Sequence, residues 1–169
     1  MRYTGLLLLC APTALAGAMY AAAIKRRSDL CMLLAALLND TARFISETGT
    51  DICKAMKYIS QKRKYAAFDF PNALLRELSD GRELQTAWKE CAMNSGGISA
   101  LLRDEREIFL AACECFDSST SKEVSKRLAE HAALLTETAR EESTRFAKNG
   151  GAAAGLSFLG AAALFIILV

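Results

Sequence analysis

Apolar residues recur every three or four positions through the middle of the chain, whereas its two ends are apolar with no charge at all: none from residue 3 to 24, and none from residue 150 to 169. The middle pattern is the signature of amphipathic helices, and no stretch alternates as a half-buried strand would. Ser28 is placed to cap a first helix with Leu30, Leu33, Leu34, Leu37, Thr41, Phe44 and Ile45 on one stripe, ended by Gly49. Thr50 or Asp51 opens a second, carrying Ile52, Ala55, Met56 and Ile59. Pro71 suits the first turn of a short helix with Leu74, Leu75 and Leu78, stopped by Asp80 and Gly81. Leu84, Ala87, Trp88 and Cys91 make the next stripe, closed by residues 94–97. One helix is then expected from Ile98 through Leu101, Leu102, Ile108, Phe109, Ala112 and Cys113 to Phe116. The last starts near Ser121, follows Val124, Leu128, His131, Leu135, Ala139 and Phe146, and runs on toward the C-terminal end. Short connections between about six helices predict an all-α bundle.

About 20 apolar residues are needed to cross the hydrocarbon core of a bilayer, and both ends reach that length. Residues 1–24 and 150–169 are therefore expected to be transmembrane helices flanking a cytosolic helical domain at 25–149. Gly151 and Gly155 form a G-x-x-x-G pattern and Gly160 follows, so these three are candidates for close helix–helix packing within the membrane. The basic flanks Lys25, Arg26 and Arg27 on one side and Arg145 and Lys148 on the other belong to the middle segment, which the positive-inside rule places in the cytoplasm. A different reading stays open: Ala14, Leu15 and Ala16 resemble a cleavage site, which would make the first segment a secretory signal and the remainder a secreted helical surface protein with a C-terminal membrane anchor.

Charge excludes one partner class. Residues 25–149 hold 20 basic and 19 acidic side chains, too balanced for nucleic acid. Five of the six cysteines lie in that segment with no regular framework, as in a reducing compartment. Nothing in the chain reads as catalytic or cofactor-binding: there is no phosphate-binding G-x-x-x-x-G-K-[ST] loop, and the lone His131 falls on a packing seam. Cys113 and Cys115, two apart on a helix, would point to nearly opposite faces and could not share a metal. Lys62, Arg63 and Lys64 are the one basic cluster that could dock an acidic partner or anionic lipid.

Three stretches resemble a known family. They are residues 82–90, with Ala87, Trp88 and Glu90 as an A-W-x-E element; residues 101–142, where Leu101, Glu105, Ile108 and Phe109 lead into a long helix rich in Leu, Ala and Glu; and the tail, with Phe158, Leu159 and Gly160 ahead of a purely lipophilic close. Together they resemble stage III sporulation protein AB of endospore-forming bacteria, over the whole chain. The chain departs from that family's pattern at residues 116–121, which lack its usual Gln. The resemblance implies a membrane component without enzymatic activity or cofactor. Its cytosolic domain would be similar to those of inner-membrane platform proteins of type II secretion and type IV pilus systems. It further implies residence in the mother-cell membrane and a place in a channel complex joining mother cell and forespore. The partners so implied are a secretion-type ATPase, stage III sporulation protein AA, and other channel subunits, with an oligomer allowed.

Overall fold

The computed structural model describes the backbone of residues 2–49, 51–66, 68–117 and 120–168. Within its two longest helices, side chains are described only for Met19 and from residue 22 to residue 144. Among the described residues the chain is helical throughout, with no strand: α1 (Arg2–Thr48), α2 (Ile52–Ser60), α3 (Phe70–Ser79), α4 (Leu84–Asn94), α5 (Gly96–Ser99), α6 (Arg103–Ala111) and α7 (Ser121–Leu168). Two 3-10 turns, Arg63–Tyr65 and Ala112–Asp117, complete the path. The all-α expectation holds. The chain divides into two compact units, Asp29–Ala139 and Met1–Ser28 with Arg140–Val169.

Glycine and proline punctuate the larger unit where the residue pattern expected it. Gly49 takes φ of 60° and donates its N–H to the Ile45 carbonyl, the left-handed close of α1. Gly81, at φ of 80°, closes α3: its N–H meets the Leu78 carbonyl, and the Arg82 N–H reaches the Glu77 carbonyl. This is the paired Schellman pattern, which satisfies carbonyls that a helix end leaves orphaned. Pro71 stands in the first turn of α3, where its missing N–H costs nothing.

The stripes then bury each other. Leu34, Leu37 and Leu38 of α1, Met56 and Ile59 of α2, Leu74 of α3 and Leu128 and Leu135 of α7 are fully buried in one continuous core. Each such side chain contributes about 1.5–3 kcal/mol by leaving water. The Cys31 thiol donates to the Leu135 carbonyl at 3.5 Å, which sets α1 beside α7 within this unit. Thr41 lies on the buried stripe as expected; its hydroxyl donates to the Leu37 carbonyl at 2.8 Å, so nothing polar is stranded.

The centre of the core is aromatic. Trp88 has its ring centroid 4.8 Å from Phe70, 5.2 Å from Phe109 and 5.9 Å from Phe116. Its indole N–H donates to the Phe109 carbonyl at 3.1 Å. One contact thus ties together α3, α4, α6 and the turn that follows α6.

Two expectations are corrected. Ser28 caps nothing, because α1 runs through it: no glycine or proline interrupts the polar stretch 25–29. The single helix expected from Ile98 to Phe116 is instead α5, α6 and a 3-10 turn. Leu102 is extended (φ −63°, ψ 162°) and its N–H donates to the Glu105 carboxylate at 2.9 Å, which starts α6 afresh. Cys113 and Cys115 are both buried. Their segment winds as a 3-10 turn, with α4 packed on it and His131 of α7 beside Cys115.

In the smaller unit, Arg27 pairs with Glu142 at 3.4 Å, joining α1 to α7. Among the described residues no helix is long and apolar enough to cross a membrane. The two ends expected to do so have side chains outside the described residues, apart from Met19, Ala22, Ala23 and Ile24.

Glycine replacement separates conformation from packing. A Cβ at Gly81 or at Gly96 meets nothing within 4 Å, but only Gly81 has positive φ. Gly81→Ala should cost about 1 kcal/mol, whereas Gly96→Ala should be neutral or slightly stabilising. Urea unfolding of the purified chain, followed by emission of the single Trp88, checks both; equal losses at the two positions would contradict the turn geometry.

Candidate docking face

The basic cluster is built on a short, anchored crossing from α2 to α3. After α2 ends, Lys62 N–H meets the Ile59 carbonyl, Tyr65 N–H the Lys62 carbonyl and Phe68 N–H the Tyr65 carbonyl. Tyr65 and Phe68 are both buried, and these two anchors hold the crossing against the core. That fixes the basic side chains relative to α1.

Two of the three do not project freely. Lys62 and Lys64 each place Nζ 2.8 Å from Asp40 Oδ2 on α1, and the Tyr65 hydroxyl donates to the same oxygen at 2.8 Å. The ammonium of Lys62 also lies 4.4 Å from the Tyr58 ring centre, and that of Lys64 lies 4.7 Å from the Tyr65 ring. Tyr58 stacks on Phe44 at 4.5 Å and remains 36% exposed. Arg63, between the two lysines, is exposed. The cluster read as three equivalent charges is therefore one outward arginine between two lysines turned onto a carboxylate.

The electrostatics follow from this arrangement. Burial by itself would raise the Asp40 pKa, but the hydrogen bonds from Lys62, Lys64 and Tyr65 together outweigh it and bring it down to about 2. Burial raises Tyr65 to about 12, with the Asp40 charge adding to the effect against the opposing pull of Lys64. For Lys62, burial works against the charge, yet the bond to Asp40 wins and its pKa is raised. The bond to Asp40 is the main cause of the rise at Lys64.

Elsewhere the chemistry is quiet. Burial pushes the thiols of Cys53, Cys91, Cys113 and Cys115 up, with nearby acidic charge adding to the rise at Cys53 and Cys91. A thiol held protonated is a poor nucleophile and a poor metal ligand. His131 Nδ1 is 2.9 Å from the Arg127 carbonyl and 3.7 Å from Cys115 Sγ. A carbonyl only accepts, so Nδ1 carries a proton toward it and is not available as a base for Cys115. Among the described residues no group of three or more His, Cys, Asp or Glu could hold a metal. Gly151, Gly155 and Gly160 follow the backbone of α7, but their surroundings lie outside the described residues.

Residue patterns missed Asp40, Tyr58 and Tyr65, the groups that organise the cluster. Asp40 stands beside Asn39 on the polar edge of an apolar helix, 22 positions ahead of Lys62, and no local spacing links the two. Lys54 and Lys57 were also passed over, although residues 52–68 hold five basic side chains and no acidic one.

The Asp40 pKa is depressed relative to about 3.9 in an unfolded chain. Its contribution is thus fully present above about pH 4 and is lost as pH falls toward 2. Asp40→Asn should lower stability by about 2 kcal/mol at neutral pH, and its gap from the wild type should close on acidification. Unfolding of both chains at pH 7, 4 and about 2.5 tests this; a gap that stays constant across the series would refute it.

A family model for stage III sporulation protein AB matches residues 2–169. No curated protein and no solved structure matches the chain. The match takes in the α1–α7 body, its Trp88 core and both uncharged ends together. The chain belongs to the stage III sporulation protein AB family and so has a role in sporulation.

Proposed function

We propose that this chain is a non-enzymatic membrane platform component of a secretion-like channel complex between mother cell and forespore. In this reading residues 1–24 and 150–169 cross the mother-cell membrane, and residues 25–149 face the cytoplasm and dock the secretion-type ATPase, stage III sporulation protein AA. The observation that carries it is the family match, which spans the charged body and both uncharged ends. Two further features favour docking over catalysis. Burial pushes the Cys113 and Cys115 thiols up, and His131 Nδ1 is committed to a backbone carbonyl. The basic flanks at 25–27 and at Arg145 and Lys148 favour a cytoplasmic body.

Topology and partner are tested in the same cells. The full chain, purified from membranes of sporulating cells in mild detergent, should retain its first residues on N-terminal sequencing and should bring the ATPase with it. A mature start near Gly17 or Ala18 would replace this topology with a cleaved signal and a secreted body. A membrane-impermeant maleimide should label the partly exposed Cys53 only after lysis; labelling in intact cells would place the body outside. Failure of the ATPase to co-purify under any salt condition would remove it as the docked partner.

A further inference from the structure

Charge within Asp29–Ala139 is segregated, and the fold gathers the positive part on one element. This unit holds 14 basic and 17 acidic side chains, but residues 52–68 contain five of the basic ones and none of the acidic. The rest of the unit therefore holds nine basic against 17 acidic, a net of −8. A strip with a local charge of +5 lies on a body of opposite sign.

The strip has two layers. Lys62 and Lys64 both pair with Asp40, Lys64 while remaining exposed. Lys54, Lys57 and Arg63 are exposed and, among the described residues, have no side-chain ion-pair partner. Lys54, Lys57 and Tyr58 stand at i, i+3 and i+4 of α2, so they share one face. Tyr58, partly exposed, is held by Phe44 stacked against its ring and by the Lys62 ammonium over the ring. A tyrosine fixed in place among cations is the kind of residue that anchors an interface, because little side-chain freedom remains to be lost on docking.

We infer that Lys54, Lys57, Tyr58 and Arg63 form the surface on which the docked ATPase places an acidic face. The inference rests on the platform reading above and specifies its contact. Protein is favoured over bilayer by the sign of the surroundings. An extended anionic membrane would face the whole unit, whose net charge is −3, whereas a protein segment can match the strip alone. At physiological ionic strength the Debye length is about 8 Å, so a docked segment responds to the strip far more than to the acidic remainder. The pair held by Asp40 is not part of the contact. Reversing Lys62 and Lys64 would break the Asp40 cluster and perturb the fold, and so would not report on docking.

The test uses the full chain in nanodiscs and the purified ATPase, with Lys54→Glu/Lys57→Glu/Arg63→Glu as the main variant and the same three positions changed to Gln as a second. Trp88 emission and helical circular dichroism confirm that each variant is folded. The wild type should bind, more weakly as salt rises; the Glu variant should bind roughly tenfold or more weakly, and the Gln variant between the two. A control reversal on α7, Lys122→Glu/Lys126→Glu, should leave affinity unchanged. If wild type and Glu variant bind alike, this surface is wrong while the platform reading stands. If the wild type does not bind the ATPase at all, both fall. If the Glu variant loses association only with discs containing anionic lipid and binds the ATPase normally, the strip is a lipid contact and the inference is overturned.

Discussion

The helical body depends on one buried donor. Trp88 is wholly enclosed, and an indole N–H shut away from water must find an acceptor or cost the unit a few kcal/mol. It finds the Phe109 carbonyl, near the end of α6, where the α-helical ladder gives way to a 3-10 turn at Ala112. The position of α4 is thereby coupled to the exact place where α6 stops, and the rings of Phe70 and Phe109 close on the indole from α3 and α6. A helix end, usually a local matter, here decides the packing of three elements.

Two other buried polar groups follow the same rule. The Thr41 hydroxyl bonds back to Leu37, and the wholly buried Glu105 starts α6 by accepting the Leu102 N–H. Asp40 is different. It is only partly enclosed, and what keeps it charged is the convergence of three donors on one oxygen. Burial governs the core, and charge compensation governs its edge.

Much of this was readable along the chain. The stripes on α2, α3, α4 and the first half of α7 are strong, and Gly49, Gly81 and Pro71 mark boundaries through backbone conformations that those residues favour. What failed has physical causes. Leu102 has no side-chain acceptor, so nothing in its own chemistry marks a helix start; the cap comes from Glu105 reaching back. The Lys62–Lys64 run was visible as charge, yet its chemistry depends on Asp40, which only the folded chain brings near.

That dependence also explains why an acidic residue belongs in a basic strip. Lys62 and Lys64 stand two positions apart, and at that separation their charges repel each other and the neighbouring Lys54, Lys57 and Arg63. Asp40 joins the inner pair to α1 and removes one unit of positive charge from the base of the strip. The same contacts fix Lys62 against Tyr58, so the ring that faces outward is held by the group that holds the strip together. Stability and the inferred recognition therefore fall to neighbouring but separate residues. Lys62, Lys64 and Asp40 set the base, and Lys54, Lys57, Tyr58 and Arg63 are the exposed residues above it. A basic surface of this kind keeps its shape only while its partly enclosed counter-charge stays ionised, and at about pH 2 for half-protonation Asp40 stays so at any pH a living cell maintains.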